Sequence, residues 1–141
     1  MSPKIIPITS DDFEFVEDQL DDYNIKSKPL TQSKPFVGWR YAIKDGDQII
    51  AGIMGYSSYY RIGYLDTLWV DPRYRRQGLG RALLQQIEHD LHDYGCQVIH
   101  LETFDFQGPE FYEANGYTQF GDLYYPNADL HELYFQKTFA E

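Results

Sequence analysis

The chain has 141 residues, with 12 Lys and Arg against 22 Asp and Glu and a formal net charge of −10, a length that suits one domain spanning residues 1–141. Apolar residues make up 43% and aromatic residues 17%, enough for a core and several strands, which excludes disorder for most of the chain. The acidic balance disfavours nucleic acid and anionic lipid, and no stretch reaches the ~20 apolar residues of a membrane span.

The opening MSPKIIPITSDDF lacks a signal-peptide core, and Cys96 stands alone, so no internal disulfide forms. A cytoplasmic protein acting on a small molecule or a cationic partner is expected. In chain order, Lys4 to Ile8 reads as a short strand, and Ser10 as the N-cap of a helix through about Tyr23. Asp11, Asp12 and Glu14 fill its first turn, and Phe13, Val16 and Leu20 form its apolar stripe. Residues 24 to 35 read as a loop or a second short helix. Phe36 to Lys44 and Gln48 to Tyr56 flank Asp45-Gly46-Asp47, a hairpin signal, and Ile62 to Val70 follows as a third strand that Asp71-Pro72 ends.

Gly78 to Tyr94 carries apolar residues at 79, 82, 83, 87, 91 and 94, a helical period that Gly95 stops. Val98 to Phe104 reads as a buried strand, Pro109 to Asn115 as a short helix ended by Gly116, and 117 to 124 and 130 to 139 as two final strands. The segment from 62 to 104 is then a βαβ unit with parallel strands and a right-handed crossover. An α/β (α+β) fold follows, with a mixed sheet and helices on its faces.

Four of the 12 basic residues, Arg73, Arg75, Arg76 and Arg81, fall within nine positions, and 82 to 136 hold no Lys or Arg. Between the first strand of the βαβ unit and its helix lies Arg75-Arg76-Gln77-Gly78-Leu79-Gly80-Arg81-Ala82. Its glycines let a ligand approach the backbone, and N–H groups at the helix start suit a pyrophosphate, with the arginines adding charge. A plain tight turn with exposed arginines is the competing reading. No Gly-x-x-x-x-Gly-Lys-Ser/Thr occurs, which excludes the common P-loop. A dinucleotide turn needs a third glycine where Leu83 stands, although Glu102 sits about where a ribose-binding acid would be.

From about Phe36 to Phe139 the sequence resembles the GNAT superfamily of acyl-CoA-dependent N-acetyltransferases, in its small, stand-alone bacterial branch. Leu65-Asp66-Thr67-Leu68-Trp69-Val70-Asp71-Pro72, leading into Arg75-x-x-Gly78-x-Gly80, is similar to the family's strand and pyrophosphate loop. Phe111-Tyr112-Glu113-Ala114-Asn115-Gly116-Tyr117 is similar to its short helix. The resemblance implies a mostly antiparallel sheet of six to seven strands with one parallel pair and about four helices. The sheet would splay between the strands ending at Val70 and near Phe104.

It also implies acetyl-CoA as co-substrate, with no metal. Pantetheine would pair with backbone groups of Leu68 and Val70, beside Trp69, as a substitute strand, and the pyrophosphate would be held by Arg75, Arg76, Gln77, Gly78, Leu79, Gly80 and Arg81. Asp105 and Gly108 stand where the family often has Asn and Ala. The implied activity is direct transfer of acetyl to a primary amine of a small molecule or peptide.

At neutral pH only about one alkyl amine in 10³ is uncharged, so a group must accept a proton. Asp66, read as alternating with Tyr64, Leu68 and Val70 on one strand face, is the first candidate, and an acid that orients substrate or caps backbone is its competing role. Glu102 on the facing strand is the second, with a paired structural role beside it. Tyr112 suits the acid that protonates the departing thiolate. His131 is a candidate acceptor-pocket residue, whereas His89, His92 and His100 show no metal spacing with it. Cys96 reads as packing. A non-catalytic acyl-CoA-binding regulatory module is the alternative function, and the tyrosine-rich final strands suggest a homodimer.

Overall fold

The computed structural model describes residues 2–140. In chain order it contains α1 (Ser10–Ser27), β1 (Phe36–Asp45), β2 (Gln48–Ser58), β3 (Ile62–Val70), a single 3-10 turn (Pro72–Tyr74), α2 (Leu79–Tyr94), β4 (Val98–Phe104), α3 (Glu110–Ala114), β5 (Thr118–Tyr125) and β6 (Leu130–Thr138). The six strands form one sheet in the order β1-β2-β3-β4-β6-β5. Only β3 and β4 are parallel, the pair that the helical crossover through α2 demands.

Two expectations about the start of the chain are corrected. Lys4 to Ile8 forms no strand: Pro3 and Pro7 remove backbone donors around it, and Ile5 is 94% exposed. Thr9, not Ser10, caps α1, its hydroxyl oxygen accepting the Asp12 N–H at 3.1 Å. The helix runs on to Ser27 and so takes in the first residues of the 24–35 segment. The described residues form three α-helices and one 3-10 turn, which agrees with the expected count of about four helices.

The core lies on one side of the sheet. Leu83, Leu84, Ile87 and Leu91, one stripe of α2, pack with Ala51, Ile53, Leu65, Ile99, Leu101 and Phe135 from the strands. The approach is tight, because a Cβ on Gly55 would meet Ile87 Cγ2 at 2.8 Å. Fully burying side chains of this size stabilises by about 1.5–3 kcal/mol each. Cys96 belongs here as packing: its Sγ donates to Ser57 Oγ at 3.3 Å, Ser57 Oγ donates to Gln32 Oε1 at 2.7 Å, and burial pushes the thiol's pKa up. By contrast, α1 buries no residue, and Phe13, Val16 and Leu20 remain 51%, 46% and 59% exposed.

Two features of β3 create the site. Its pairing with β4 is confined to Gly63 with Ile99 and Tyr64 with His100, after which the strands part. Against β2, Leu65 pairs with Gly55 and Thr67 with Met54, which leaves Asp66 as the extra residue of a bulge. Simple alternation therefore fails at Asp66. Tyr64, opposite Tyr56, faces away from α2, whereas Leu68 and Val70 pack against the core cluster on the α2 side.

Candidate active site

Where β3 and β4 part, a cleft of about 830 Å³ opens. Leu68, Trp69 and Val70 form one wall, Tyr74 to Arg76 and Gly78 to Arg81 the end, and Phe106 to Gly108 with Phe111 and Tyr112 the other wall. Asp71 N–H bonds Ile50 O across β2 at 2.8 Å. Backbone groups of successive residues point to opposite edges of a strand, so those of Leu68 and Val70 point into the gap. Val70 O already accepts Arg75 Nε at 3.2 Å. What β3 offers the gap is therefore Leu68 N–H and C=O, together with Val70 N–H.

The end of the cleft is built to attract anions. Gly78 caps α2 in the left-handed conformation, at φ +79°, with no side-chain hydrogen bond, and the first bond inside the helix is Ala82 N–H to Gly78 O at 3.0 Å. The N–H groups of Leu79, Gly80 and Arg81 precede it and have no carbonyl of their own helix to meet, so they carry the positive end of the helix dipole. Gly80 lies between the walls: an added Cβ would be 3.4 Å from Phe111 Cζ and 3.6 Å from Val70 Cγ2.

The four arginines divide by role. Arg73 Nη2 pairs with Asp71 Oδ2 at 2.8 Å, and this guanidinium, with the Arg73 N–H, holds the Asp71 carboxyl below its ordinary pKa. Arg75 braces the strand end. Arg76 and Arg81 line the cleft and form no ion pair among the described residues. Gln77, expected with them, does not line it.

Tyr112 lines the cleft from α3 and is only 9% exposed, with its ring 5.9 Å from Phe135 and 5.8 Å from Tyr117. Burial pushes its phenol up to about 12. The hydroxyl makes no side-chain hydrogen bond among the described residues, so it is a protonated donor turned to no other protein side chain.

Asp66 and Glu102 do not line the cleft. Both stand at the gap on the sheet's other face: Glu102 accepts a hydrogen bond from the Tyr64 hydroxyl, and Asp66 Oδ2 accepts one from Thr67 Oγ1 at 2.8 Å. The phenol of Tyr56, on that same face, is pushed up first by burial and then by the charges of Asp66 and Glu102.

His131 lies outside the cleft as well. Its Nδ1 is 2.6 Å from Asp122 Oδ1, and this hydrogen bond raises the imidazole's pKa. His131 N–H donates to Asp105 Oδ2 at 3.2 Å, and Asp105 N–H donates to His131 O at 3.0 Å. His131 and Asp105 thus clip the loop after β4, whose next residues, Phe106 to Gly108, form a cleft wall. Of that wall, the sequence singles out Gly108 as a family position but not Phe106 or Gln107. Its signal is the dense Phe104-Asp105-Phe106-Gln107-Gly108-Pro109 run.

The sequence model of the Acetyltransferase (GNAT) family matches residues 3–117. The chain belongs to this family. It is 32% identical over 95 residues to the blasticidin-S acetyltransferase of Streptomyces morookaense, covering 66% of this chain and 69% of that one. Its fold matches the crystal structure of an acetyltransferase from Bacillus cereus with a TM-score of 0.85 at 27% identity, over 97% of this chain and 98% of that one. An aminoglycoside 6'-N-acetyltransferase complexed with coenzyme A shares the fold more distantly, with a TM-score of 0.64 at 20% identity over 98% of each chain. In this GNAT chain the cleft, the free helix amides and the buried phenol fall on one side of the sheet's opening, and two carboxylates on the other.

Proposed function

We propose that the protein transfers an acetyl group from acetyl-CoA directly to a primary amine. One observation carries the reading: the same cleft joins unpaired backbone groups on β3, the free N–H groups of α2 and the buried Tyr112 phenol. The fit to acetyl-CoA is chemical. A diphosphate matches the N–H groups of Leu79, Gly80 and Arg81 and the guanidinium groups of Arg76 and Arg81. The amides of a pantetheine arm match Leu68 N–H and C=O and Val70 N–H, as an added strand would. Bound there, acetyl-CoA supplies the thioester and a thiolate leaving group.

The chain's own residues then manage the protons. A carboxylate at the gap, Glu102 or Asp66, takes one proton from the acceptor's ammonium group, which is charged at neutral pH. Whichever of the Val70 and Leu68 N–H groups the pantetheine arm leaves free meets the carbonyl oxygen as negative charge grows on it. As the amine nitrogen bonds to the acetyl carbon and the carbon–sulfur bond breaks, the Tyr112 hydroxyl gives its proton to the sulfur. The acylated nitrogen gives up its second proton, which solvent relays to the Tyr112 phenolate, and the carboxylate releases its proton to solvent, so one proton is set free per amide formed.

A non-catalytic acyl-CoA-binding module would use the same cleft but has no need of a buried phenol facing it. The test follows release of the CoA thiol with polyamines, amino acids, aminoglycosides and lysine peptides, beside calorimetric binding of acetyl-CoA. Thiol release coupled to an acetylated amine supports transfer. Tight binding of acetyl-CoA with no product from any amine would leave the module reading in its place.

A further inference from the structure

The gap presents two carboxylates as candidate proton acceptors, and the sheet's outer face distinguishes them. Tyr64 pairs with His100 in the last rung before β3 and β4 separate. Glu102 follows His100 by two residues, so the two side chains share the face away from α2. The phenolic hydroxyl of Tyr64 reaches across the opening and donates to Glu102 Oε1.

The ring that makes this bond is itself fixed. Its centroid lies 5.1 Å from that of Tyr56 and 5.0 Å from that of His100, so rings flank it on both neighbouring strands. Burial, and then the Glu102 bond, push the Tyr64 phenol upward, which keeps it a donor throughout the neutral range. A free glutamate samples many rotamers, and ordering it costs up to about 1.5–2 kcal/mol. Here that ordering is done before any substrate arrives. Glu102 Oε2 has no hydrogen-bond partner, and no cation pairs with the carboxylate, among the described residues.

Asp66 differs on each count. It is the unpaired residue of the bulge, and its Oδ2 accepts only from the hydroxyl of its own neighbour, Thr67. Among the described residues no side chain of another strand hydrogen-bonds to it.

We propose that Tyr64 is a positioning residue that holds Glu102 across the point where β3 and β4 part, so that Glu102, and not Asp66, receives the ammonium group of the acceptor. The proposal rests on the acetyl-transfer reading and adds which carboxylate serves it and what orients that carboxylate. Tyr64 touches no reacting atom; it acts through Glu102.

The test compares Tyr64→Phe, Glu102→Gln, Asp66→Asn and the double variant Tyr64→Phe/Glu102→Gln with the unmodified chain. Tyr64→Phe keeps the ring and its packing, and circular dichroism with thermal melting verifies the fold of each variant. Glu102→Gln is expected to lower kcat/KM for the amine by about 10²-fold, with calorimetric affinity for acetyl-CoA unchanged. Tyr64→Phe should lower it about tenfold, while the KM for acetyl-CoA holds, because the carboxylate is no longer held in place. The double variant should be no slower than Glu102→Gln alone. A larger loss in Asp66→Asn than in Glu102→Gln, multiplying losses in the double variant, or unchanged kcat/KM in Tyr64→Phe overturns the proposal.

If the unmodified chain turns over no amine, acetyl transfer fails as a reading, and binding of spermidine to the acetyl-CoA complex decides the role of Glu102 separately. Affinity reduced about tenfold in Glu102→Gln and less in Tyr64→Phe, with Asp66→Asn unchanged, upholds Glu102 as the ammonium's partner. Equal affinity in all variants, or no spermidine binding to the unmodified chain, overturns it.

Discussion

Tyr112 combines two properties that rarely coincide in a tyrosine: it is buried, yet its hydroxyl is not engaged by another side chain among the described residues. Replacing it by Phe removes no hydrogen bond from the fold. Tyr112→Phe should therefore lower kcat by about 10²-fold while the melting temperature and the KM for acetyl-CoA hold, as steady-state kinetics and a thermal melt will read out. The same burial predicts an alkaline weakness. With its phenol pushed from 10.0 to about 12, Tyr112 favours the neutral form when folded, so its contribution to stability is whole below pH 10 and is lost as pH rises through about 12. Other tyrosines weaken the fold over the same range, so the Tyr112 share is read by difference: between those pH values the unmodified chain should lose roughly 2–3 kcal/mol more than Tyr112→Phe in urea melts. Motif spacing made Tyr112 legible among 13 tyrosines, and the structure puts it in the cleft. Asp66 was misread as sharing a face with Leu68 and Val70, because a bulge without glycine leaves no mark in the sequence and counting by twos passes straight over it. Arg73 was legible as a cation but not as one neutralised by Asp71, a contact that exists only once the Pro72 turn has formed.

At the scale of elements, the strands and α2 were readable because their signals are local: the hydrophobic period of α2, the Asp45-Gly46-Asp47 turn and the Asp71-Pro72 stop each fix a boundary within a residue or two. Lys4 to Ile8 misled because β-branched residues suit a strand, whereas pairing needs a neighbouring edge and free donors. The start of α2 carries the next prediction. Gly80→Asp adds a carboxylate where Val70 and Phe111 already flank the backbone, at the start of α2 where the proposed diphosphate would sit. The KM for acetyl-CoA should rise at least about tenfold while kcat at saturation falls less, as initial rates against acetyl-CoA concentration will measure. The β3–β4 rung is equally sensitive. A Cβ on Gly63 would lie 2.7 Å from Val98 O, which is backbone and cannot swing aside. Gly63→Ala should cost about 1–3 kcal/mol in chemical denaturation.

Across the whole molecule, stability is unevenly distributed. The main core cluster lies between the sheet and α2 with α3, and α1 buries no residue. In hydrogen exchange the amides of α1 should therefore exchange far faster than those of α2, and protection equal to α2 would contradict this picture. The global fold was legible where short-range patterns repeat, while the arrangement of α1 was not, since an amphipathic stripe promises a partner without naming one. The bulge at Asp66 acts at this scale too. A bulged strand bends and twists more strongly than a regular one, and β3 leaves β4 just as it meets this supernumerary residue. A chain lacking Asp66 is therefore expected to straighten β3, extend its pairing with β4 beyond Tyr64 and narrow the slot beside Val70, so that the chamber reads as a seam left unsewn.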